Sequence, residues 1–171
     1  MESKVELREY RPEDLEQVLE LVRELESELE EKFKTVQIQS VLDDYRNRYL
    51  KPGNKYKTFV AITDDKVVGY LMGYPSLGAP EIDRMYDVLP LSPGSIPPEF
   101  YLQMTFVSKP YRNKGISKGL HIKIIEYAKN QGHKEVYACI AKWNLPEIKV
   151  IRSLRFHLND LGYRYRLTLK F

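Results

Sequence analysis

The chain has a single cysteine, Cys139, and three scattered histidines, His121, His133 and His157. One cysteine excludes an internal disulfide and a cysteine-ligated zinc cluster, and it suits a reducing compartment. The histidines do not fall at the spacings of a structural metal site, so no metal is expected. No apolar run approaches the roughly 20 residues that span a bilayer. The N-terminus is charged from Glu2 onward, so neither a secretory leader nor a membrane partner is expected. A strong excess of one charge is also missing. Lys and Arg number 27 against 24 Asp and Glu, a net of +3, which permits an anionic ligand but does not mark a nucleic-acid binder. Repeats and low-complexity tracts are absent. The expectation is one cytoplasmic domain over 1–171, long enough to bury a real core.

Periodicity and punctuation then give the elements. Lys4 to Tyr10 alternates as a short strand. Pro12 opens a helix whose apolar face is Leu15, Val18, Leu19, Val22, Leu25 and Leu29, with the acidic stretch Glu24 to Glu31 as its solvated side. A second helix carries Ile38, Val41, Leu42, Tyr45 and Tyr49 and stops at Pro52-Gly53. Two strands flank the turn Asp64-Asp65-Lys66. Ser76 to Pro98 is too rich in proline for a regular element, and loops of that length are often functional. A strand from Tyr101 to Val107, a helix capped by Gly132 and a strand from Glu135 to Ile140 follow. A last helix is predicted from Pro146, with Ile148, Ile151, Leu154, Leu158 and Leu161 on one face and Gly162 as its cap. Tyr163 to Phe171 alternates as the closing strand. The order reads β-α-α-β-β-β-α-β-α-β.

The stretch with chemical content is Val107 to Leu120, V-S-K-P-Y-R-N-K-G-I-S-K-G-L. Strand, basic glycine turn and helix make a phosphate-binding arrangement. The first-turn N–H groups of a helix lack intrahelical partners and sit at the positive end of its dipole. Arg112, Lys114 and Lys118 add charge around that point. The loop G-x-x-x-x-G-K-S/T is absent, because Gly115 and Gly119 are too close and no Lys-Ser/Thr pair follows. The dinucleotide fingerprint G-x-G-x-x-G is absent as well.

Arg112-Asn113-Lys114-Gly115-Ile116-Ser117, preceded by Tyr111, resembles the acyl-CoA loop of the GCN5-related N-acetyltransferase (GNAT) family, R/Q-x-x-G-x-G/A after a strand. Ser117 stands where that family has glycine or alanine. The element order resembles the family's from first strand to last. The resemblance implies an α/β fold with a mixed, mostly antiparallel central sheet, splayed strands and flanking helices. It implies acetyl-CoA or CoA as co-substrate. Phe106 and Val107 would pair with the pantetheine arm, and the N–H groups of Asn113, Lys114, Gly115, Ile116, Ser117 and Lys118 would bind the pyrophosphate. Arg112 or a nearby lysine could reach other phosphates. Asn144 stands where the family often has an asparagine near the cofactor, although its position ahead of Pro146 favours capping the helix, and both roles could hold.

The implied reaction is direct attack of an amine on the thioester, with a general base to take its proton. Base candidates are Glu99 and Tyr101, with Gln103 on the same face by alternation. The family's tyrosine acid, four residues before the closing Gly-Phe/Tyr, falls here on Leu158, with His157 beside it. Its role is therefore not carried over, and His157, Tyr163, water or departure of CoA as a thiolate remain as alternatives. Glu81, Asp83 and Asp87 of the long loop would suit a cationic acceptor. A non-catalytic acyl-CoA sensor or interaction module on the same fold is the second reading, and a nucleic-acid module built on Arg152, Arg155, Arg164, Arg166 and Lys170 the third. The edge of the closing strand offers a site for a homodimer contact.

Overall fold

The computed structural model describes residues 4–33, 38–78 and 96–171. Alternation at the N-terminus gives β1 (Glu6–Glu9), and a 3-10 turn at Pro12–Asp14 leads into α1 (Leu15–Phe33). Asp14 fixes that corner. Arg8 of β1 grips its carboxylate with two nitrogens at 2.7 and 2.8 Å, and the Arg11 N–H donates to it at 2.8 Å. α2 (Ile38–Asp44) runs on into one wider turn, Tyr45–Tyr49. The hairpin β2 (Lys57–Thr63) and β3 (Lys66–Ser76) turns on Asp64 and Asp65, both left-handed at φ 49° and 60°. β4 (Glu99–Val107), α3 (Ile116–Asn130), β5 (Glu135–Ala141) and α4 (Leu145–Arg152) follow.

With β6 (His157–Asp160) and β7 (Arg164–Lys170) at the C-terminus, the strands form one sheet in the order β1-β2-β3-β4-β5-β7-β6. β4 and β5 are parallel, and the other neighbouring strands are antiparallel. α3 and α4 cover one face through Leu120, Ile124, Ala128, Ile148 and Ile151 on Phe59, Phe100 and Val136. α1 and α2 cover the other through Val18, Leu19, Val22 and Leu42 on Val60, Tyr70 and Phe106. The mixed, mostly antiparallel sheet between helical layers matches the expected architecture.

The C-terminus corrects the sequence reading. The predicted long helix stops at Arg152, the chain turns at Arg155 (φ 67°), and Phe156 drops into the core. The chain returns as β6 (His157–Asp160), which pairs with β7 (Arg164–Lys170) from His157 opposite Thr168 to Asp160 opposite Tyr165. Gly162 (φ 88°) is the hairpin turn, not a helix cap, and donates its N–H to the Asp160 carboxylate at 2.8 Å. Leu158 and Leu161 stay about 40% exposed, at 40% and 41%. Covering the outer edge of β7 outweighs a short helical spacing of leucines. The order is therefore β-α-α-β-β-β-α-β-α-β-β, and the closing strand is interior, so it offers no free edge to a second copy.

Candidate active site

The two parallel strands come apart. β4 pairs with β5 from Glu99 opposite Glu135 to Leu102 opposite Ala138, and no further. Yet β4 continues to Val107 and β5 to Ala141. A gap therefore opens beyond Leu102. The first β4 residue past the last pair is Gln103, which is also a bulge against β3: Met72 faces Met104 and Gly73 faces Leu102, leaving Gln103 without an opposite residue. Such an insertion bends the strand and raises its twist. Gly73 permits the close approach, since a Cβ there would lie 2.5 Å from the Tyr101 carbonyl.

The peptide groups lining the gap follow from the β3–β4 register. The Ser108 N–H donates to the Val68 carbonyl at 2.9 Å. Hydrogen-bonded and non-bonded pairs alternate in an antiparallel ladder. With Tyr70 opposite Phe106 and Gly69 opposite Val107, Phe106 turns its peptide groups to β3, while Thr105 and Val107 turn theirs to the gap. The Val107 carbonyl already accepts from Arg112 Nε at 2.8 Å. Of the two residues read from the sequence as backbone partners, Val107 faces the gap and Phe106 does not. Thr105, missed in the sequence, does; the bulge that sets its direction leaves no mark in the residue pattern.

At the mouth of the gap stands the start of α3. Asn113 (φ 64°) and Gly115 (φ 78°) are left-handed, a backbone that curls successive N–H groups into a concave nest. The Gly119 N–H makes the first intrahelical bond shown, to the Gly115 carbonyl at 3.0 Å. The amides of Ile116, Ser117 and Lys118 precede it as first-turn donors. Lys114 and Lys118 are exposed beside them. Two buried side-chain oxygens among the described residues have no hydrogen-bond partner here: Gln103 Oε1 at the gap and Ser117 Oγ in the first turn of α3. Buried polar atoms in that condition are rare and call for an explanation. A polar ligand running from the helix start into the gap supplies one, so the residues present fit an acyl-CoA.

Arg112 does not point to this nest. Its guanidinium lies 2.6 Å from the Glu28 carboxylate of α1 and 5.1 Å over the Phe106 ring. Glu24, one turn earlier, accepts from Ser108 Oγ at 3.1 Å and from the Lys109 N–H at 2.9 Å. The acidic stretch is thus not simply a solvated face. Glu24 and Glu28 hold the β4–α3 loop, and Glu26 is buried at 8% exposure. Burial raises the Glu26 carboxyl above its ordinary range. Its charge also bears on Tyr45 and Tyr70, whose hydroxyls lie 3.0 Å apart and which burial, above all, makes hard to ionise.

On the near side of the gap the sheet carries a row of tyrosines. Tyr56 just ahead of β2, Tyr74 on β3, Tyr101 on β4 and Tyr137 on β5 follow one another, with ring centroids 5.1, 5.4 and 5.0 Å apart. Tyr49 and Tyr45 extend the row towards α2. Tyr101 sits one position before the last β4–β5 pair, opposite Tyr137. The Tyr137 hydroxyl and Ser76 Oγ are 2.5 Å apart. Glu99 is differently occupied. Arg166 Nη2 lies 2.7 Å from its carboxylate and 3.3 Å from that of Glu135, while Nη1 donates to the Gly78 carbonyl at 2.5 Å. The same guanidinium lies 3.9 Å over the Tyr137 ring. Burial opposes its charge, but the Glu99 and Glu135 carboxylates hold Arg166 above its ordinary range.

Asn144 takes the N-cap position of α4, but its side chain makes no capping bond. Capping is therefore not its role here, and it stands just past the gap-side end of β5. His157 and Leu158 lie exposed on β6, separated from β4 by β7 and β5, and Tyr163 is 72% exposed in the β6–β7 turn. His157 and Leu158 are not at the gap, whereas the turn that holds Tyr163 stands at the gap-side end of β5, where Arg164 faces Ala141. Glu81, Asp83 and Asp87 fall outside the described residues. Among the described residues, no cluster of His, Cys, Asp and Glu could hold a metal ion, and no helix is long and apolar enough to cross a membrane.

A sheet parted between its two parallel strands, with a glycine turn and a helix start at the mouth, is the framework of acyltransferases that use CoA thioesters. The acetyltransferase (GNAT) family matches residues 18–156, and the chain belongs to that family. Solved structures agree on the fold. PaiA N-acetyltransferase of Thermoplasma acidophilum, in complex with coenzyme A, superposes with TM-score 0.73 at 17% identity, over 98% of this chain and 99% of that one. Arabidopsis thaliana NAA60 in complex with acetyl-CoA gives 0.68 at 15% identity, over 98% of each chain. The GNAT domain of S. lividans PAT gives 0.74 at 14% identity, over 98% of this chain and 90% of that one. No curated protein matches the sequence.

Proposed function

We propose that the chain is an acetyl-CoA-dependent N-acetyltransferase acting on a primary amine by direct attack. The observation that carries the reading is the β4–β5 gap, faced by the peptide groups of Thr105 and Val107 and ending at the α3 nest. The N–H groups of Asn113 to Lys118 would take the pyrophosphate, with Lys114 and Lys118 for further phosphate charge. Ser117 Oγ and Gln103 Oε1 would gain the partners they lack. Asn144 would border the cofactor at the end of β5. Two of the solved relatives were crystallised with coenzyme A or acetyl-CoA, which supports the same ligand here.

The thioester supplies an activated acetyl group. What the chain's residues do is hold it in reach of an amine, which converts a bimolecular encounter into an oriented one. The amine loses a proton, forms a C–N bond to the acetyl carbon, and the C–S bond breaks to release the thiol. Tyr101 is the polar side chain we place beside the reacting atoms, because it lies next to the last β4–β5 pair. Glu99 is assigned to holding Arg166 and not to proton removal. The displacement of His157 and Leu158 to β6 favours, as second reading, an acyl-CoA-binding module without turnover.

Thermal-shift titration with acetyl-CoA and CoA, paired with free-thiol release over an amine panel, tests both. A ligand at 100 times its dissociation constant adds about 2.7 kcal/mol of stability, so binding is easily seen. A shift with thiol release supports the transferase. A shift with no thiol release from any amine supports the module, and no shift at all defeats both readings.

A further inference from the structure

The tyrosine row holds an amine of the protein's own. Lys55 precedes β2, is exposed, and places its Nζ 4.9 Å from the Tyr74 ring centroid and 5.7 Å from that of Tyr56. Tyr74 is the register partner of Tyr101, and Tyr101 of Tyr137. The next pair along, Leu102 with Ala138, is the last before the strands part. An ammonium over Tyr74 is therefore one ring away from the residue that borders the gap. Aromatic faces attract such cations, most strongly where water is partly excluded. Lys57, two residues on, shows the contrast: it turns to the opposite face, against Tyr127 and Glu9.

We infer that Lys55 is an acetylation site of this protein, modified in cis by the acetyl-CoA bound in its own gap. The inference rests on the acetyl-transfer reading above. The step is balanced without a further reactant. Lys55 Nζ gives up one proton to solvent, forms a C–N bond to the acetyl carbon and gives up a second proton as the amide forms. The C–S bond breaks, and the sulfur leaves as a thiolate that takes up a proton. One acetyl group moves and one proton is released in total from the ammonium form. The resulting amide carries no charge, so it loses its attraction to the Tyr74 and Tyr56 rings. Acetylation would then vacate the row for the ammonium of an external acceptor.

The test is peptide mapping by mass spectrometry of the full chain incubated with acetyl-CoA, over a range of protein concentrations. It is repeated with an excess of CoA, which competes for the site but not for chemical acetylation, and on Lys55→Arg. The expected result is acetyl on Lys55 at least about tenfold faster than on other exposed lysines, the least that holding an amine beside its reactant should give. The fraction of chains modified per unit time should not change with protein concentration, and CoA should suppress it. Lys55→Arg should take up no acetyl group at a comparable rate. Acetylation spread evenly over exposed lysines, insensitivity to CoA, or a fractional rate per chain that rises in proportion to protein concentration each overturns the inference. A CoA thermal shift with thiol release to small amines, but an unmodified Lys55, sinks this inference alone. Absence of the shift and of thiol release removes the transferase reading with it.

Discussion

Arg112 and Glu28 are joined guanidinium to carboxylate at 2.6 Å, so the arginine of the β4–α3 loop is anchored to α1. Both side chains are more than a third exposed, at 36% and 38%, and a pair so wet contributes about 0–1 kcal/mol. Glu28→Gln should therefore lower stability by no more than that in urea denaturation. Arg112→Ala should cost more, about 1–2 kcal/mol, because the Val107 carbonyl loses its donor. Both should weaken CoA binding by loosening the loop, and Arg112→Ala by more. Equal affinity in both variants and wild type would show that the anchor has no bearing on the ligand.

Ser117 has a buried hydroxyl with no partner. Removing an unsatisfied buried group is neutral or favourable to the free protein. Ser117→Ala is expected to leave the unliganded melting point unchanged or slightly raised, while shrinking the shift produced by CoA. An unliganded protein destabilised by more than about 1 kcal/mol would mean the hydroxyl has a partner after all.

Tyr101 and Glu99 should behave differently when altered. Loss of a general base typically costs about 10²–10⁴ in rate. Glu99→Gln keeps the shape of the site and should reduce turnover only slightly, while reducing stability through Arg166. Tyr101→Phe should lower kcat and leave the CoA-induced thermal shift intact. A kcat loss of that general-base size in Glu99→Gln would reinstate the carboxylate as the base.

Asp14 gives the fold an acid limit. Burial by itself would raise its carboxyl, but the two-nitrogen grip of Arg8 and the Arg11 N–H outweigh burial and hold it below the ordinary carboxylate range. A carboxyl depressed in the folded state binds protons more readily when unfolded. Its stabilisation is thus complete above the unfolded value of about 3.9 and is lost as pH falls through the lower folded value. Asp14→Asn should destabilise at pH 7 by about 3–5 kcal/mol, and the difference between variant and wild type should narrow towards the acid end. A difference that does not change with pH would argue that the carboxylate is not the source.

Much of this was legible from residues alone. The hairpin at Asp64-Asp65, the apolar faces of α1 and α3, and the glycine turn ahead of α3 are set by local backbone preference and by short-range spacing. Both are properties of a few neighbouring residues. The C-terminal helix failed for the same reason that the others succeeded. Leucines at helical spacing also suit an edge hairpin when turn residues such as Arg155 and Gly162 accept left-handed backbone, and pairing with β7 decided between them.

The sequence by itself determined the kind of fold, the family loop and the candidate strand beside it, because those depend on pattern and on the chemistry of Arg112 to Lys118. Tertiary structure decided which of those groups face the gap. The bulge at Gln103 exists only against β3, and it sets whether Thr105, Phe106 or Val107 turns towards the gap. Arg112 was drawn to Glu28, Glu99 to Arg166, and Lys55 to the tyrosine row, each by a partner far along the chain. Direction of a side chain is settled by the lowest free energy among all partners within reach, and the linear order of residues does not say who those partners are.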